Sequence, residues 1–333
     1  AWFYRGLAHY QNEEFALSYN LAIENYDQAI QLDPEYALAW FYRGLAHYQN
    51  EEYDRAIENY DQAISLNPED ADSWYHRGLA YVGKEDLDQG LKDYNRAISF
   101  DTGQSRFWYS RGFVFFQKNE YDKAIENFDQ AISLDEEYIL AWYFRGVSYL
   151  RKAKLDKAII DLDKAISLEP GDAQFWLARG FALDDKDEFD KAIENFDEAI
   201  RLEPKEADFW YFRGLSHYNK DEFDKAIENF DKAISLNPMD SVAWSERGRT
   251  YSDKGELDKA IKDLTKAIRL DPQNETSWLY RGLSFANKGE FDKAIKNFDK
   301  AIFFDEEFTR AWYYRGHAYY DKGEFDKAIE NFD

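Results

Sequence analysis

Ten arginines recur at one place in the sequence, each three residues after a tryptophan and directly before a glycine. Guanidinium groups at a constant spacing could form a ladder for an anionic ligand, because arginine binds carboxylates and phosphates through paired N–H donors. The alternative is structural: each arginine stem covers its tryptophan while the guanidinium reaches a recurring aspartate. Identical occupancy in every repeat favours the structural interpretation. The arginines run from Arg5 and Arg43 to Arg315, and the candidate aspartates are Asp61, Asp129, Asp163, Asp197, Asp231 and Asp299.

The histidines and carboxylates do not form a catalytic or metal-binding pattern. The five histidines, His9, His47, His76, His217 and His317, are dispersed along the chain, and cysteine is absent. A metal site needs several ligands close together, and thiolate chemistry needs cysteine. The carboxylates lie in segments such as Asp-Lys-Ala-Ile-Glu-Asn, where lysine and glutamate pair on a solvated helix face. We therefore expect no enzyme activity, no cofactor and no metal site.

The chain is strongly acidic, with 66 aspartates and glutamates against 42 lysines and arginines and a net charge of -24. Nucleic-acid phosphates and anionic membrane surfaces attract clustered basic residues, so neither is an expected partner. No apolar run approaches the roughly 18 residues that a membrane span needs, which predicts no membrane insertion. The compartment stays open, with the cytoplasm slightly favoured.

All ten tryptophans begin the motif Trp-x-x-Arg-Gly, and they are 34 residues apart except for a first step of 38. A constant period of this length is typical of an elongated array in which each repeat contacts its neighbours. We predict one domain over residues 1–333 with an incomplete last repeat. The four additional residues predict an extra helical turn around residues 13–20. The repeats, numbered one to ten in chain order, begin near Ala1, Ala39, Ser73, Phe107, Ala141, Phe175, Phe209, Ala243, Ser277 and Ala311.

Each repeat has the pattern of two helices separated by a short break. In repeat two, small and aromatic residues follow a helical spacing from Trp40 and again from Tyr53. The second helix must end before Pro68, because proline cannot continue a helix, and all six prolines occupy this place in their repeats. The small Gly44 lets the two helices approach closely while Tyr60 fills the space beside the contact.

Tryptophan, glycine four residues later, and then alanine, an aromatic residue, alanine and proline resemble the tetratricopeptide repeat along essentially the whole chain. The resemblance implies an all-α fold, a right-handed superhelical α-solenoid of antiparallel helix pairs. It also implies that the first helix of each repeat lines a concave groove. One departure is constant: arginine stands where the family usually has leucine three residues after the tryptophan.

The resemblance places the residues one, five and eight positions after each tryptophan in that groove, where many of them are aromatic. A large accessible apolar surface usually binds a partner. The alternative is that the rings pack on adjacent repeats and expose only their edges. Repeat eight departs from the pattern with Ser245, Glu246, Arg249 and Ser252, which could set specificity or form a solvated stretch. The predicted groove residues are Phe41, Tyr48, Tyr75, Tyr109, Phe116, Tyr143, Tyr211, Tyr218, Arg249, Tyr313 and Tyr320.

The sequence therefore predicts a non-catalytic scaffold that binds a peptide or partner protein in an aromatic groove. Two alternatives remain, an array that self-associates through its ends and an interaction arm of a larger protein. Two recognition modes of the family, a clamp for a terminal carboxylate and an asparagine ladder, lack their residues here. The incomplete last repeat leaves an apolar face uncovered, which predicts either further sequence or a second copy stacked on the end.

Overall fold

The computed structural model describes residues 1–10 and 16–332, in which all regular secondary structure is α-helical. Odd-numbered helices are the first helices of repeats one to ten, and even-numbered helices are the second. The helices are α1 (Trp2–Tyr10), α2 (Ala16–Leu32), α3 (Ala37–Gln49), α4 (Tyr53–Leu66), α5 (Ala71–Gly83), α6 (Leu87–Phe100), α7 (Ser105–Gln117), α8 (Tyr121–Leu134), α9 (Ile139–Arg151), α10 (Leu155–Leu168), α11 (Ala173–Asp184), α12 (Phe189–Leu202), α13 (Ala207–Asn219), α14 (Phe223–Leu236), α15 (Ser241–Asp253), α16 (Leu257–Leu270), α17 (Glu275–Asn287), α18 (Phe291–Phe304), α19 (Thr309–Asp321) and α20 (Phe325–Phe332).

The two helices of each repeat pack against each other as an antiparallel hairpin. Residues 50–52 are the whole connection between α3 and α4, and a connection this short turns the chain back on itself. Within residues 1–169 and within residues 170–333, the second helix packs on the first helix of the following repeat, as α4 does on α5. The predicted all-α fold of paired helices is confirmed.

The chain divides into two compact units by its internal contacts, residues 1–169 and residues 170–333. The amino-terminal unit contains α1 to α10, and the carboxy-terminal unit contains α11 to α20. The division falls between two repeats, so each unit is built from five helix pairs. The assignment of residues 1–333 to a single domain remains a prediction.

The glycine of the tryptophan motif lets a large side chain of the second helix lie directly against the first helix. A Cβ atom added to Gly44 would be 2.7 Å from Cε1 of Tyr60, and one added to Gly214 would be 2.7 Å from Cε1 of Phe230. Carbon atoms cannot approach this closely, so any larger residue would push the helices apart. Tyr60 and Phe230 are completely buried, which confirms the predicted close contact.

The turn inside most repeats contains one residue in the left-handed backbone region, and these residues recur every 34 positions. In repeat two the amide of Glu52 donates to the carbonyl of His47, and the amide of Glu51 donates to the carbonyl of Tyr48. This is the Schellman arrangement, which satisfies carbonyls at the end of the first helix. The left-handed residues are Glu51, Glu85, Asn119, Ala153, Asp187, Asp221, Gly255, Gly289 and Gly323.

The longer first repeat places its additional residues at the start of its second helix. Helix α2 has 17 residues, whereas α4 has 14. The extra turn predicted around residues 13–20 is therefore present from Ala16 onward, and residues 13–15 lie outside the described part of the chain.

Replacing Ala153 by glycine is expected to stabilise the protein. Ala153 is exposed and has a φ of 53°, a conformation in which a Cβ atom meets its own backbone. Relief of this strain outweighs the larger conformational entropy that glycine has in the unfolded chain, leaving a gain of about 0.5–1 kcal/mol. Urea unfolding monitored by circular dichroism measures the change.

Gly289→Ala is the matched control, since Gly289 has a φ of 75° at the equivalent place and open space around its Cα atom. This substitution should lower the unfolding midpoint, because it introduces the strain that Ala153→Gly removes. A lower midpoint for Ala153→Gly would contradict the interpretation of the turn.

Candidate functional site

The recurring arginines lie over the tryptophans of their own motifs. In eight repeats the guanidinium carbon is 4.3–4.7 Å from the centroid of the tryptophan ring. A cation at this distance from an indole face is attracted by the negative potential of the ring. The arginine stem and the tryptophan ring therefore cover each other.

Several of these guanidinium groups also join the second helices of two successive repeats within one unit. Arg77 donates two hydrogen bonds of 2.7 Å to Asp93 on α6 and a third, of 2.5 Å, to Asp61 on α4. Arg145 likewise bonds to Asp161 at 2.7 Å and to Asp129 at 2.6 Å. Further predicted aspartates receive equivalent bonds, namely Asp197, Asp231 and Asp299. The structural interpretation of the arginines is confirmed at these positions, because their donors are already engaged within the protein.

The tryptophans hydrogen-bond to the backbone of the connection that precedes their repeat. The indole Nε1–H of Trp40 donates to the carbonyl of Pro34 at 2.9 Å, and Trp108 donates to the carbonyl of Thr102 at 3.0 Å. The bond occurs even in repeats without the proline, so the ring and not the proline defines the contact. These half-buried tryptophans also border the hydrophobic core clusters, as expected for a packing role.

The amino-terminal unit carries a continuous aromatic surface on α7 and α9, which we call the apolar face. It consists of Tyr109, Phe113, Phe116 and Phe144, all of which are half-buried. The ring centroids of Phe113 and Phe144 are 4.9 Å apart, and those of Phe116 and Phe144 are 5.3 Å apart. Tyr109 stacks on Phe113 at 6.1 Å, and burial raises the pKa of its hydroxyl. The face is thus uncharged and held in place by contacts among its own rings.

Tyr75 is placed differently from the groove position that the sequence predicts. It is only 8% exposed, its ring centroid is 4.8 Å from that of Phe107, and its hydroxyl hydrogen-bonds with Ser110 at 3.2 Å. This residue belongs to the interior between α5 and α7. Phe41 and Tyr48 are half-buried on α3, where their rings lie 5.3 Å from Tyr42 and 5.6 Å from Tyr53, respectively.

Tyr143 is half-buried on α9, beside the apolar face. Its ring centroid is 5.0 Å from that of Phe144, the next residue along the helix. It therefore extends the aromatic surface at one edge.

The carboxy-terminal unit carries a mixed surface of Tyr218, Glu246 and Arg249, which packs on the buried Tyr280, and we call this set the arginine–tyrosine face. The guanidinium of Arg249 lies between two rings, 4.3 Å from the centroid of Tyr218 and 5.2 Å from that of Tyr280. Glu246 accepts a hydrogen bond of 3.2 Å from Arg249, while burial raises the pKa of this glutamate. The hydroxyl of Tyr218 donates to Asp253 at 2.5 Å. The face is therefore a set of polar groups that largely satisfy one another.

The serines of repeat eight do not form part of a solvated stretch. Ser245 and Ser252 are buried, and their hydroxyls hydrogen-bond with Ser277 at 2.9 Å and Ser284 at 3.0 Å. They replace aromatic packing between α15 and α17 by hydrogen bonds, which explains why this repeat tolerates small polar residues. Of the four residues by which this repeat departs from the pattern, Glu246 and Arg249 remain partly accessible.

The remaining predicted groove residues are distributed over the carboxy-terminal unit. Tyr211 is half-buried, with its ring 5.9 Å from that of Phe230. Tyr313 and Tyr320, on α19, are 51% and 57% exposed. The predicted residues of this unit thus lie on α13, α15 and α19 and differ in exposure.

Sequence reasoning did not select Phe113, Phe144 and Tyr280 as site residues. Phe113 occupies the fifth position after its tryptophan, where most repeats have leucine or valine, so its size was the available signal. Phe144 and Tyr280 lie two positions after their tryptophans. The spacing of the sequence alone does not show that their rings contact side chains of the preceding repeat, Phe113 and Arg249, respectively.

The described residues contain no group of histidine, aspartate and glutamate side chains arranged to hold a metal ion. None of the helices in residues 1–10 and 16–332 combines the length and apolar character of a membrane span.

Comparison with protein families gives repeated matches along the chain. A family model described as TPR repeat matches residues 18–51, 48–85, 112–153, 248–289 and 282–323. Further models described as tetratricopeptide repeat match residues 71–103, 139–172, 177–241 and 229–262. No curated protein matches the sequence significantly.

Solved structures with the same helix-pair fold include two bacterial repeat proteins. The C-terminal part of a TPR repeat-containing protein from Cytophaga hutchinsonii is 19% identical, with a TM-score of 0.60, and the alignment covers 71% of this chain and 97% of that one. A tetratricopeptide repeat protein from Parabacteroides merdae is 17% identical, with a TM-score of 0.56 and coverage of 75% and 98%. The MamA structure is 30% identical, with a TM-score of 0.46 and coverage of 49% and 95%.

His76 introduces a titratable ring into the aromatic packing of the amino-terminal unit. Its ring centroid is 5.3 Å from that of Phe41 and 6.2 Å from that of Tyr60. Burial lowers its pKa to about 4, and the charge of Arg106 adds to the effect. Phe144 makes the equivalent contacts with Tyr109 and Phe128, so phenylalanine fits this place elsewhere in the chain.

His76→Phe is therefore expected to reduce the loss of stability in acid. Because the folded protein disfavours protonated His76, the wild type loses stability as the pH falls from about 6.5, the unfolded value, towards 4. The difference in unfolding free energy between variant and wild type should grow by about 2–3 kcal/mol over this window. Urea unfolding of both proteins at pH 7 and pH 4 measures it, and an equal difference at both values would contradict the assignment.

Proposed function

The chain belongs to the tetratricopeptide repeat family, and from this premise we propose that it is a non-catalytic scaffold that binds a peptide or partner protein. Proteins of this family are generally protein-interaction scaffolds. The observation that carries the proposal is the apolar face, where Tyr109, Phe113, Phe116 and Phe144 join four partly accessible rings from adjacent repeats.

The geometry of the apolar face suits the capture of a large apolar side chain. The rings of Phe113 and Phe116 are nearly parallel, with an interplanar angle of 17°, and Phe144 meets both edge-on. Rings that already pack on each other lose little conformational freedom when a partner binds, so the contact is preorganised. A partner residue placed there would gain apolar burial and aromatic contact together.

The arginine–tyrosine face supports a lesser role in binding. Arg249 is already paired with Glu246, and Tyr218 is bonded to Asp253. A partner must therefore compete with internal hydrogen bonds, which reduces the free energy available from new ones. We assign the principal contact to the apolar face. Self-association through the ends of the array and membership of a larger protein remain predictions.

The double variant Phe113→Leu and Phe116→Ser is expected to weaken partner binding by at least tenfold, or about 1.4 kcal/mol. Leucine and serine occupy the equivalent positions at Leu45 and Ser252, so both substitutions use residues that the repeat accepts. Peptides selected from a displayed library on the wild-type protein provide the ligand. Their dissociation constants are then measured by fluorescence anisotropy against wild type and variant.

Ile160→Ala is the matched control, because this isoleucine is an apolar side chain on α10 that is 64% exposed. It should leave the affinity unchanged, and circular dichroism should show that both variants remain folded. Equal peptide affinity of the double variant and the wild type would overturn the proposal. Sedimentation velocity tests the alternative, since self-association that is unaffected by the double variant would point to the ends of the array.

A further inference from the structure

Repeat nine contains a cavity of about 770 Å³ between α17 and α18. Its walls include Trp278, Arg281 and Phe285 of the first helix and Lys296, Lys300 and Phe303 of the second. With Lys293, the lining has four cationic and three aromatic side chains and one carboxylate, Asp299, in a protein whose net charge is -24. It lies in the carboxy-terminal unit, whereas the apolar face lies in the amino-terminal unit.

The arginine of this repeat has no carboxylate partner in the described residues. Arg281 donates to the amide oxygen of Asn297 at 2.7 Å and to the hydroxyl of Thr265 at 3.2 Å. Thr265 occupies the place at which Asp61 and Asp129 accept bonds from their arginines. Burial accordingly lowers the pKa of Arg281. Its positive charge is held by neutral groups and is free to attract an anion.

A second exchange reverses the charge beside this arginine. Lys296 occupies a position that is lysine also in repeats three and eight but glutamate in six other repeats, namely Glu24, Glu58, Glu126, Glu194, Glu228 and Glu330. Lys296 and Lys300 are exposed and have no ion pair within the described residues. The cavity therefore has more positive charge than the equivalent place in the repeats with glutamate at this position.

The acidic groups close to the cavity are neutralised by other cations. Asp299 accepts a hydrogen bond of 2.6 Å from Arg315 on the following helix. Glu290 forms an ion pair with Lys293 at 2.5 Å. These pairs leave Arg281, Lys296 and Lys300 as the uncompensated charges.

A third exchange adds an aromatic wall. Phe303 is 70% exposed and occupies a position at which the other complete repeats from two to eight have serine or arginine. The ammonium group of Lys300 lies 5.2 Å from the centroid of its ring. Exposure of a phenylalanine ring to water is unfavourable. The ring of Phe303 lines the same cavity as Trp278 and Phe285.

We propose that the repeat-nine cavity binds an aromatic anion, a ligand that carries one phosphate or carboxylate group on an aromatic ring. The anionic group would lie against Arg281 and Lys296, because paired donors and a nearby ammonium group are the usual ligands of such oxyanions. The ring would contact Phe303 and Phe285.

Repeat four provides an internal comparison. Arg111 also has only amide partners, Asn127 and Asn95, each at 2.7 Å. However, the position of Lys296 is Glu126 there, and the position of Phe303 is Ser133. Repeat four therefore lacks the carboxylate partner of its arginine but keeps the glutamate and the serine at the other two positions. Only repeat nine combines all three exchanges.

Phenyl phosphate and benzoate are the probes, with phenol and inorganic phosphate as the neutral and the ring-free comparison. Saturation-transfer NMR on the ring protons, and the phosphorus linewidth for inorganic phosphate, give dissociation constants at one ionic strength. Lys296→Glu, Thr265→Asp and Phe303→Ser each restore a residue that other repeats have. Each of the first two should raise the dissociation constant of the aromatic anion at least tenfold, while Phe303→Ser should remove its advantage over inorganic phosphate.

Lys232→Glu is the matched control for charge, because Lys232 is an exposed lysine on α14 at the position equivalent to Lys300. It should change the dissociation constant less than twofold, and thermal unfolding checks that every variant is folded. Tighter binding of phenyl phosphate than benzoate identifies a phosphate site, and the reverse identifies a carboxylate site.

Three results would overturn the proposal. The first is that neither aromatic anion binds the wild type more tightly than phenol does. The second is that Lys232→Glu weakens binding as much as Lys296→Glu, which would indicate attraction by net charge alone. The third is that inorganic phosphate binds the wild type as tightly as phenyl phosphate, which would remove the role of the aromatic walls.

Discussion

The contact of arginine with tryptophan is the interaction on which the repeat depends. One arginine side chain covers the indole and also bonds to the second helix of its own repeat and to that of the repeat before. Arg77 does so with Asp93 and Asp61. A planar guanidinium with donors on several sides can make these contacts together, which a leucine at the same position could not. The arginine that departs from the family pattern therefore links neighbouring repeats of the same unit through polar bonds, as Arg77 and Arg145 do.

In the first helices, residues at one sequence position can be buried in one repeat and partly accessible in another. Residues directly after the tryptophan face the junction between repeats, and their exposure depends on the neighbour. Tyr75 is covered by Phe107 and is buried, whereas Tyr109 at the equivalent position keeps part of its ring accessible beside Phe113. An accessible aromatic surface in this fold thus consists of rings at the junction of two repeats that the neighbouring repeat does not fully cover. The rings of such a surface are held in place because they also pack on buried side chains, as Tyr109 and Phe144 pack on Phe128.

Repeats eight and nine show what happens when the polar links change. In repeat eight, small serines form hydrogen bonds across α15 and α17, and the space left beside them accommodates the pair of Glu246 and Arg249. In repeat nine, replacement of an aspartate by Thr265 leaves Arg281 without an acidic partner. Because Arg281 still lies over Trp278 and still bonds to the second helix of its repeat, this exchange alters local charge without altering the helix pair. Divergence of single repeats can therefore create chemistry at one place in an otherwise uniform array.

The sequence by itself determined the helix pairs, their period, the close contact at Gly44 and the aspartate partners of the arginines, because each depends on spacing within one or two repeats. It also identified the aromatic positions of the first helices. Only the tertiary structure decided which of those rings are accessible, since that depends on the side chain that the adjacent repeat places over them. Tyr75 is buried by Phe107, and Phe144 completes a surface with Phe113 and Phe116, for this reason. The cavity of repeat nine likewise required coordinates, because its cations and rings come from two helices whose facing sides the spacing alone does not specify.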